Sequence, residues 1–216
     1  MKNLNLTDGR EISRRNFIVS GISSITTAGL LLKNKNFFSN TNIKAIAFDA
    51  FPVFDPRPVF ETAKQLFGEK GDGIANQWRI SQFEYTWLKT AAGRYKDFWE
   101  VTKDALSFAA RKNNVRISKT QEAQLMEQYL QLNIWPDVLP ALEALSQKGI
   151  RLSFLSNMTN EMLLQSMKHS HIDQYFGNVI STDIAKTYKP DAKAYELGCR
   201  ILKLKKQEIL FVAFAG

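Results

Sequence analysis

Asp49 is the residue with the clearest potential for chemistry in this sequence. It directly follows the run from Ala45 to Phe48, which is continuously apolar and therefore typical of a buried strand. A carboxylate at the end of such a strand costs free energy unless it is paired or takes part in a reaction. Ligands of open α/β sheets bind at the carboxyl ends of the strands, so Asp49 is a candidate nucleophile. A helix N-cap is the alternative interpretation.

Two later segments place further polar residues after predicted strands. The apolar run at 152–155 ends at Ser156 and Asn157, a hydroxyl and an amide that can bind an anion. A third apolar run, at 179–181, precedes Lys189, which opens a Lys-Pro-Asp sequence. Taken singly, the Ser-Asn pair is also typical of a turn and the Lys-Pro pair of a plain loop. In this order they add an anion-binding pair and a cation to the candidate nucleophile.

This order of motifs resembles the haloacid dehalogenase superfamily, and within it the L-2-haloacid dehalogenases. The resemblance runs from about residue 43 to residue 216. Its most specific part looks like the helical cap of the dehalogenase subgroup. This part comprises segments 77–79 (Gln-Trp-Arg), 84–88 (Glu-Tyr-Thr-Trp-Leu) and 94–95 (Arg-Tyr).

The position two residues after Asp49 favours halide displacement over phosphate transfer. Phosphatases of this superfamily have a second Asp there, which protonates an alkoxide leaving group while Mg²⁺ offsets the phosphate charge. This chain has Phe51 instead. A halide leaves without a proton and needs a dry pocket with positive or amide donors. We expect no cofactor and no metal, since His169 and His171 have no acidic or cysteine cluster beside them.

The resemblance implies that short (S)-2-haloacids are hydrolysed to (R)-2-hydroxy acids through an ester of Asp49. The carboxylate would displace halide from the substrate Cα, and water would then attack the carbonyl carbon of the ester. The resemblance also gives roles to five other residues. These are Arg79 and Asn157 for the halide, Ser156 for the substrate carboxylate, Lys189 for keeping Asp49 ionised and in place, and Tyr195 for buttressing Lys189. Arg79 has a second interpretation, as a solvated arginine on a helix.

The sequence departs from the subgroup in two places. After Asp49 the subgroup often has a Gly-Thr pair, whereas this chain has a proline-rich loop at 52–58, in which we expect Asp55 to be structural. The chain ends at Gly216, soon after a predicted strand at 209–214, where family members continue, so we expect a truncated C-terminus.

Two alternatives to dehalogenation stay open: a phosphatase of the same superfamily, and a catalytically inactive remnant.

Arg14 and Arg15 form a twin-arginine pair before an apolar stretch at 17–32. This pattern is typical of a Tat export signal, and Tat carries folded proteins. We therefore predict that residues 1–40 are a signal and linker and that the Tat machinery is a partner. The protein would be periplasmic, or membrane-anchored and facing the periplasm. A chance arginine pair before an amphipathic helix is the alternative.

The order of the predicted elements places the candidate residues in one core with one insertion. A chain of 216 residues suits this size. Strand–helix alternation in the second half favours α/β architecture, with a parallel, doubly wound, Rossmann-like sheet. We predict that residues 43–58 and 136–216 form this core. Helices within 59–135 would form a cap over the strand ends and exclude water.

Composition narrows the range of partners. The net charge of +8 comes from 29 Lys and Arg against 21 Asp and Glu, and six basic and two acidic residues in 1–40 supply +4 of it. The remaining net charge of +4 is scattered along the rest of the chain. We therefore expect that the protein does not bind nucleic acid and that it mildly favours an anionic substrate. Cys199 is the single cysteine, which excludes an intrachain disulfide. Dimers are common in the subgroup that the chain resembles, so a homodimer is a further expectation.

Overall fold

A four-stranded parallel sheet forms the centre of the core. The computed structural model describes residues 42–214. Its strands are β1 Ala45–Phe48, β2 Phe54–Asp55, β3 Asn133–Ile134, β4 Arg151–Ser156, β5 Phe176–Ser181 and β6 Ile209–Val212. The parallel sheet has the order β5-β4-β1-β6, and β2 and β3 form a separate antiparallel pair. The predicted α/β fold with a parallel sheet is confirmed.

Helices connect the parallel strands and fill the interval between β2 and β3. They are α1 Arg57–Phe67, α2 Gly71–Ala91, α3 Phe98–Lys112, α4 Lys119–Glu127, α5 Val138–Gln147, α6 Asn160–His169 and α7 Ala192–Leu202. Helices α5, α6 and α7 directly precede β4, β5 and β6, which is the alternation that parallel strands need. Helices α1 to α4 lie between β2 and β3, in the segment predicted as the cap; we call them the helical segment.

The two faces of β1 are packed differently, and this determines where Asp49 emerges. Ile46 and Phe48 belong to the larger apolar core. Ala45 and Ala47 belong to a smaller cluster that includes residues of α7. Because successive side chains of a strand point to opposite faces, Asp49 continues the face of Ala45 and Ala47. The carboxylate therefore emerges on the side of the sheet that α7 covers.

The short strands β2 and β3 join the two ends of the helical segment. Phe54 pairs with Ile134, and Asp55 pairs with Asn133. The buried Asp55 carboxylate also accepts hydrogen bonds from Arg57, at 2.9 Å from Nε to Oδ1 and 2.6 Å from Nη2 to Oδ2. These bonds give Asp55 a structural function at the start of α1.

The helical segment has buried polar contacts of its own. Trp78 on α2 is fully buried and donates from Nε1 to the carbonyl oxygen of Thr102 on α3, at 2.8 Å. Gln82 donates from Nε2 to Thr102 Oγ1 at 2.8 Å and to the Tyr129 hydroxyl at 3.1 Å. Buried polar groups that are satisfied in this way specify one arrangement of the helices. Helices α2 and α3 are thus tied to the turn that follows α4.

Two tyrosines tie the loop between α2 and α3 to the core. The Tyr95 hydroxyl donates to Asp183 Oδ1 at 2.9 Å, and the Tyr188 hydroxyl donates to the carbonyl oxygen of Lys96 at 2.6 Å. The two rings lie 5.1 Å apart between centroids. Tyr188 directly precedes Lys189, so the helical segment contacts the chain immediately beside the candidate lysine.

Several expectations concern the ends of the chain. The predicted signal at 1–40 lies outside the residues that the structure describes, as does Gly216. Within residues 42–214, no helix is both long enough and apolar enough to cross a membrane. The predicted last strand is shorter than expected, because its pairing with β1 ends at Val212. Strand β6 occupies one edge of the sheet.

Candidate active site

Asp49 lies just beyond the carboxyl end of β1, with one carboxylate oxygen surrounded by donors. Oδ1 accepts hydrogen bonds from the backbone N–H of Ala50 at 2.8 Å and from the Ser156 hydroxyl at 3.0 Å. It also forms an ion pair with Lys189 Nζ at 2.7 Å. Among residues 42–214, no group donates to Oδ2, and the side chain stays 26% exposed. The second oxygen is therefore free to reach a ligand.

Lys189 is a buried cation with a defined orientation. Its side chain is only 8% exposed, and Nζ donates to the carbonyl oxygen of Leu155 at 3.0 Å as well as contacting Asp49. The ring of Phe211 lies below the ammonium group, 5.0 Å from Nζ to the ring centroid. Burial lowers the pKa of Lys189 below its ordinary value, and the nearby Asp49 carboxylate opposes this shift. The protonated state of Lys189 thus depends on its burial and on the charge of Asp49.

Ser156 and Asn157, at the end of β4, are both drawn into this cluster. Ser156 donates to Asp49, and its Oγ accepts the backbone N–H of Met158 at 3.2 Å, so the hydroxyl is directed at the Asp49 carboxylate. Asn157 Oδ1 accepts the backbone N–H of Lys189 at 3.0 Å and the Thr182 hydroxyl at 3.2 Å. This leaves the amide nitrogen of the half-buried Asn157 without an acceptor among residues 42–214. It can donate to an anion.

Tyr195 lies near the cluster and contacts Phe211. Its ring packs edge-on against Phe211, at 5.6 Å between centroids, and 38% of the residue is exposed. Burial raises the pKa of the Tyr195 phenol, and the negative charge of Asp49 raises it further. The ring of Phe211 thus lies in contact with both Tyr195 and Lys189, and the predicted buttressing of Lys189 by Tyr195 stays a prediction.

Arg79 is the predicted site residue that the structure does not bring into the cluster. It is exposed on α2, next to the buried Trp78. Within residues 42–214, no hydrogen bond or ion pair joins it to another residue. Its positive charge lowers the pKa of the buried Tyr129 phenol, although burial dominates and leaves that pKa raised. Its predicted halide contact stays a prediction.

Apolar residues occupy the place where a phosphatase would carry its acid. Phe51 packs edge-on against Phe83 of α2, at 6.2 Å between centroids, and its carbonyl oxygen accepts the Trp135 indole N–H at 2.9 Å. No group of three or more His, Cys, Asp or Glu residues within 42–214 could hold a metal ion. The site can thus hold an anion beside the Asp49 carboxylate, and the apolar side chain of Phe51 lies two residues after Asp49 in the sequence.

Comparisons with known proteins agree on one family. The profile of the haloacid dehalogenase-like hydrolases matches residues 43–212. Haloacetate dehalogenase H-2 of Moraxella sp. (strain B) is 36% identical over 172 residues, which cover 79% of this chain and 77% of that protein. (S)-2-Haloacid dehalogenase 4A of Burkholderia cepacia is 32% identical over 173 residues, which cover 80% and 75%. This chain belongs to the L-2-haloacid dehalogenase family.

A solved relative adds a covalent complex to this assignment. The L-2-haloacid dehalogenase of Xanthobacter autotrophicus, with chloropropionic acid covalently bound, is 30% identical to this dehalogenase-family chain. The TM-score is 0.73, and the match covers 78% of this chain and 69% of that one. The parallel sheet and the helices are therefore shared with an enzyme of the same family.

Sequence reasoning missed two parts of the site in this family member. Phe211 was predicted only as part of an apolar strand, and the Leu155 carbonyl oxygen only as strand backbone. One signal could have identified Phe211, because alternation along a strand paired with β1 places every second residue on the Asp49 face. The Leu155 carbonyl has no signal in the side-chain pattern, since any residue at 155 would supply it.

Proposed function

We propose that this protein hydrolyses short (S)-2-haloacids to (R)-2-hydroxy acids through an ester of Asp49. One observation supports this most strongly: Asp49 Oδ1 is held by Ala50, Ser156 and Lys189, while no group within residues 42–214 donates to Oδ2. The family and the covalent chloropropionic acid complex of the Xanthobacter autotrophicus relative also support it. Phe51, in place of an acid, suits a leaving group that needs no proton.

In the first step, Asp49 Oδ2 attacks the substrate Cα from the side opposite the halogen. The new O–Cα bond forms as the Cα–halogen bond breaks, and the electron pair leaves with the halide. Configuration at Cα is thereby inverted. The Asn157 amide nitrogen and the Arg79 guanidinium would receive the halide, because both are donors without partners among residues 42–214. Arg79 would have to approach the cluster when substrate is bound.

In the second step, water attacks the carbonyl carbon of the Asp49 ester. The bond between that carbon and Oδ2 breaks, so that Oδ2 leaves with the product. One water proton goes to the departing alkoxide and the other to solvent. Negative charge develops on Oδ1 during this step, where the Ala50 N–H, the Ser156 hydroxyl and the Lys189 ammonium already point. Donors that are oriented in advance stabilise such a charge without rearrangement. We therefore give Ser156 this role in addition to its predicted contact with the substrate carboxylate.

A single turnover in ¹⁸O-water, with protein in excess over (S)-2-chloropropionate, tests this mechanism. We expect the label in the peptide that contains Asp49 and almost none in the lactate, because the product oxygen comes from the carboxylate. Mass spectrometry of the digested protein and of the product measures both. Label in the lactate, with none in Asp49, would mean that water attacks Cα directly and would contradict the ester.

The same preparation separates the other candidate functions. Chloroacetate belongs in the assay because one relative is a haloacetate dehalogenase. Its dechlorination needs the same displacement, at a Cα that carries no methyl group. Hydrolysis of p-nitrophenyl phosphate that depends on Mg²⁺ would support the phosphatase instead. A folded protein that neither releases halide nor forms the ester would support the inactive remnant.

We also propose that the protein is exported by Tat and faces the periplasm, either released or anchored. Support comes from Arg14 and Arg15 ahead of the apolar stretch at 17–32. Changing both arginines to lysine should leave the protein in the cytoplasm, since the charge is kept and only the recognised pair is lost. Immunoblots of periplasmic, membrane and cytoplasmic fractions measure this. The matched control changes Lys33 and Lys35 to arginine and should be exported normally.

We also propose that the protein is a homodimer, because dimers are common in the family. Light scattering of the protein checks this.

A further inference from the structure

The Lys189 ammonium has three N–H donors, and oxygen atoms account for two of them. Asp49 Oδ1 lies at 2.7 Å and the Leu155 carbonyl oxygen at 3.0 Å. The third neighbour of Nζ is the ring of Phe211, with its centroid at 5.0 Å. An aromatic face attracts a cation within about 6 Å, and more strongly when the cation is removed from water. Lys189 meets this condition because it is buried.

The sheet and α7 together place the Phe211 ring at this position. Phe211 of β6 pairs in register with Ala47 of β1, so both side chains point to the face on which Asp49 emerges. The methyl group of Ala47 leaves room for a large neighbour. Tyr195 of α7 packs edge-on against the ring at 5.6 Å, which supports Phe211 on the side away from the sheet. The ring is thus held between a helix and the lysine.

We propose that Phe211 is a positioning residue, whose aromatic face keeps the Lys189 ammonium charged and directed at Asp49. The proposal rests on the proposed dehalogenation, because it concerns the cation that serves the Asp49 ester. Among residues 42–214, the titratable group that faces Lys189 is Asp49, from the end of β1. Strand β4 contributes the neutral Leu155 carbonyl, and Tyr195 of α7 packs on the ring of Phe211. Phe211 replaces the water that an exposed ammonium would have.

Fluorinated phenylalanines at position 211 test the aromatic face without changing its size. Each added fluorine withdraws electron density from the ring and weakens its attraction for a cation. Loss of this attraction favours neutral lysine, so the pKa of Lys189 should fall step by step with one, two and three fluorines, by about one pH unit in total. The alkaline limb of the kcat–pH profile should move to lower pH by the same amount, with KM nearly unchanged.

Phe60 provides a matched control in the helical segment. Like Phe211, it is half-buried and packs edge-on against another aromatic side chain, Trp78, at 5.6 Å between centroids. The same fluorinated residues at position 60 should leave the alkaline limb in place. A purely packing function of Phe211 predicts a flat series at both positions, and that result would overturn the proposal. Phe211→Leu, which removes the face altogether, should lower kcat about tenfold.

A direct titration of Lys189 separates this proposal from the proposed function. Labelling lysine with ¹³C at Cε allows the pKa of Lys189 to be followed by NMR, assigned from the Lys189→Arg spectrum, in the absence of any substrate. A pKa that falls with fluorination supports the proposal even if no halide is released, in which case the dehalogenase function alone fails. A constant pKa in a protein that does release halide overturns the proposal and leaves the function standing.

Discussion

The Asp49→Asn variant is expected to lose at least about 10³-fold in kcat for halide release from (S)-2-chloropropionate. The amide has nearly the same shape as the carboxylate but no negative charge, so it cannot displace halide from carbon. Its geometry in the site should otherwise persist, because Ala50 and Ser156 can still donate to the amide oxygen. Initial rates of chloride release measure the change, and KM should change much less than kcat.

Two controls separate lost chemistry from lost structure in this variant. Asp49→Asn removes the counter-ion of the buried Lys189, so thermal unfolding followed by circular dichroism must show that the variant is folded. Asp173→Asn removes a carboxylate from an exposed turn elsewhere in the chain and should keep full activity. An Asp49→Asn protein with more than a tenth of the original kcat would exclude Asp49 as the nucleophile.

Elements with strong local signals could be predicted closely from the sequence. The sequence pattern predicts a strand at 45–48 and helices at about 160–169 and 192–202, and the bounds of β1, α6 and α7 agree with this. Thr159 accepts the backbone N–H of Met162 at the start of α6, and Asp191 accepts that of Lys193 at the start of α7. Such caps form hydrogen bonds within one helical turn, so the residues next to the helix start are enough to predict where the helix begins.

The bounds of other elements were predicted less well. The sequence pattern predicts a helix from Glu61 to Phe67. Helix α1 instead begins at Arg57, because a proline in the first turn is compatible with a helix. The pattern also predicts a helix from Tyr95 to Asn113. Helix α3 instead begins at Phe98, because Asp97 caps it and the Tyr95 side chain contacts Asp183 in the core. The antiparallel pair of β2 and β3 joins residues almost eighty positions apart and is too short to show a pattern.

The same distinction applies to the candidate site. Parallel strands present their carboxyl ends at one edge of a sheet. The sequence therefore predicts that four site residues lie close together: Asp49, Ser156, Asn157 and Lys189. The position of Arg79 could not be predicted, since it depends on how the helical segment sits over that edge. Phe211 resembled any other apolar residue of a strand, and only the register of β6 against β1 shows that it faces the ammonium group.

Lys189→Met should lower kcat about 10²- to 10³-fold, the size of effect found when one charge-stabilising donor is removed from an active site. Methionine fills a similar volume but cannot donate to Asp49 or stabilise the charge that develops on Oδ1. Lys186→Met is the matched control: Lys186 lies three residues away, is exposed, and pairs with Asp183 instead. It should keep most of the wild-type activity. Equal losses in both variants would contradict the assignment of Lys189.

The pH dependence of the same variant tests why Lys189 matters. Because burial lowers its pKa, the folded protein binds the Lys189 proton less tightly than the unfolded chain does. That proton therefore destabilises the fold at neutral pH, and the penalty disappears as pH rises from the lowered pKa of Lys189 toward its ordinary value. Wild-type activity should fall as pH rises through the lowered pKa of Lys189, because the folded protein loses the ammonium there. The activity of Lys189→Met should not show this fall at alkaline pH. The variant should also be at least as stable as the wild type to unfolding by urea at pH 7, since it has no cation to bury. A marked loss of stability would mean that the ion pair with Asp49 outweighs the burial of Lys189, and that the lysine serves the fold as well as the reaction.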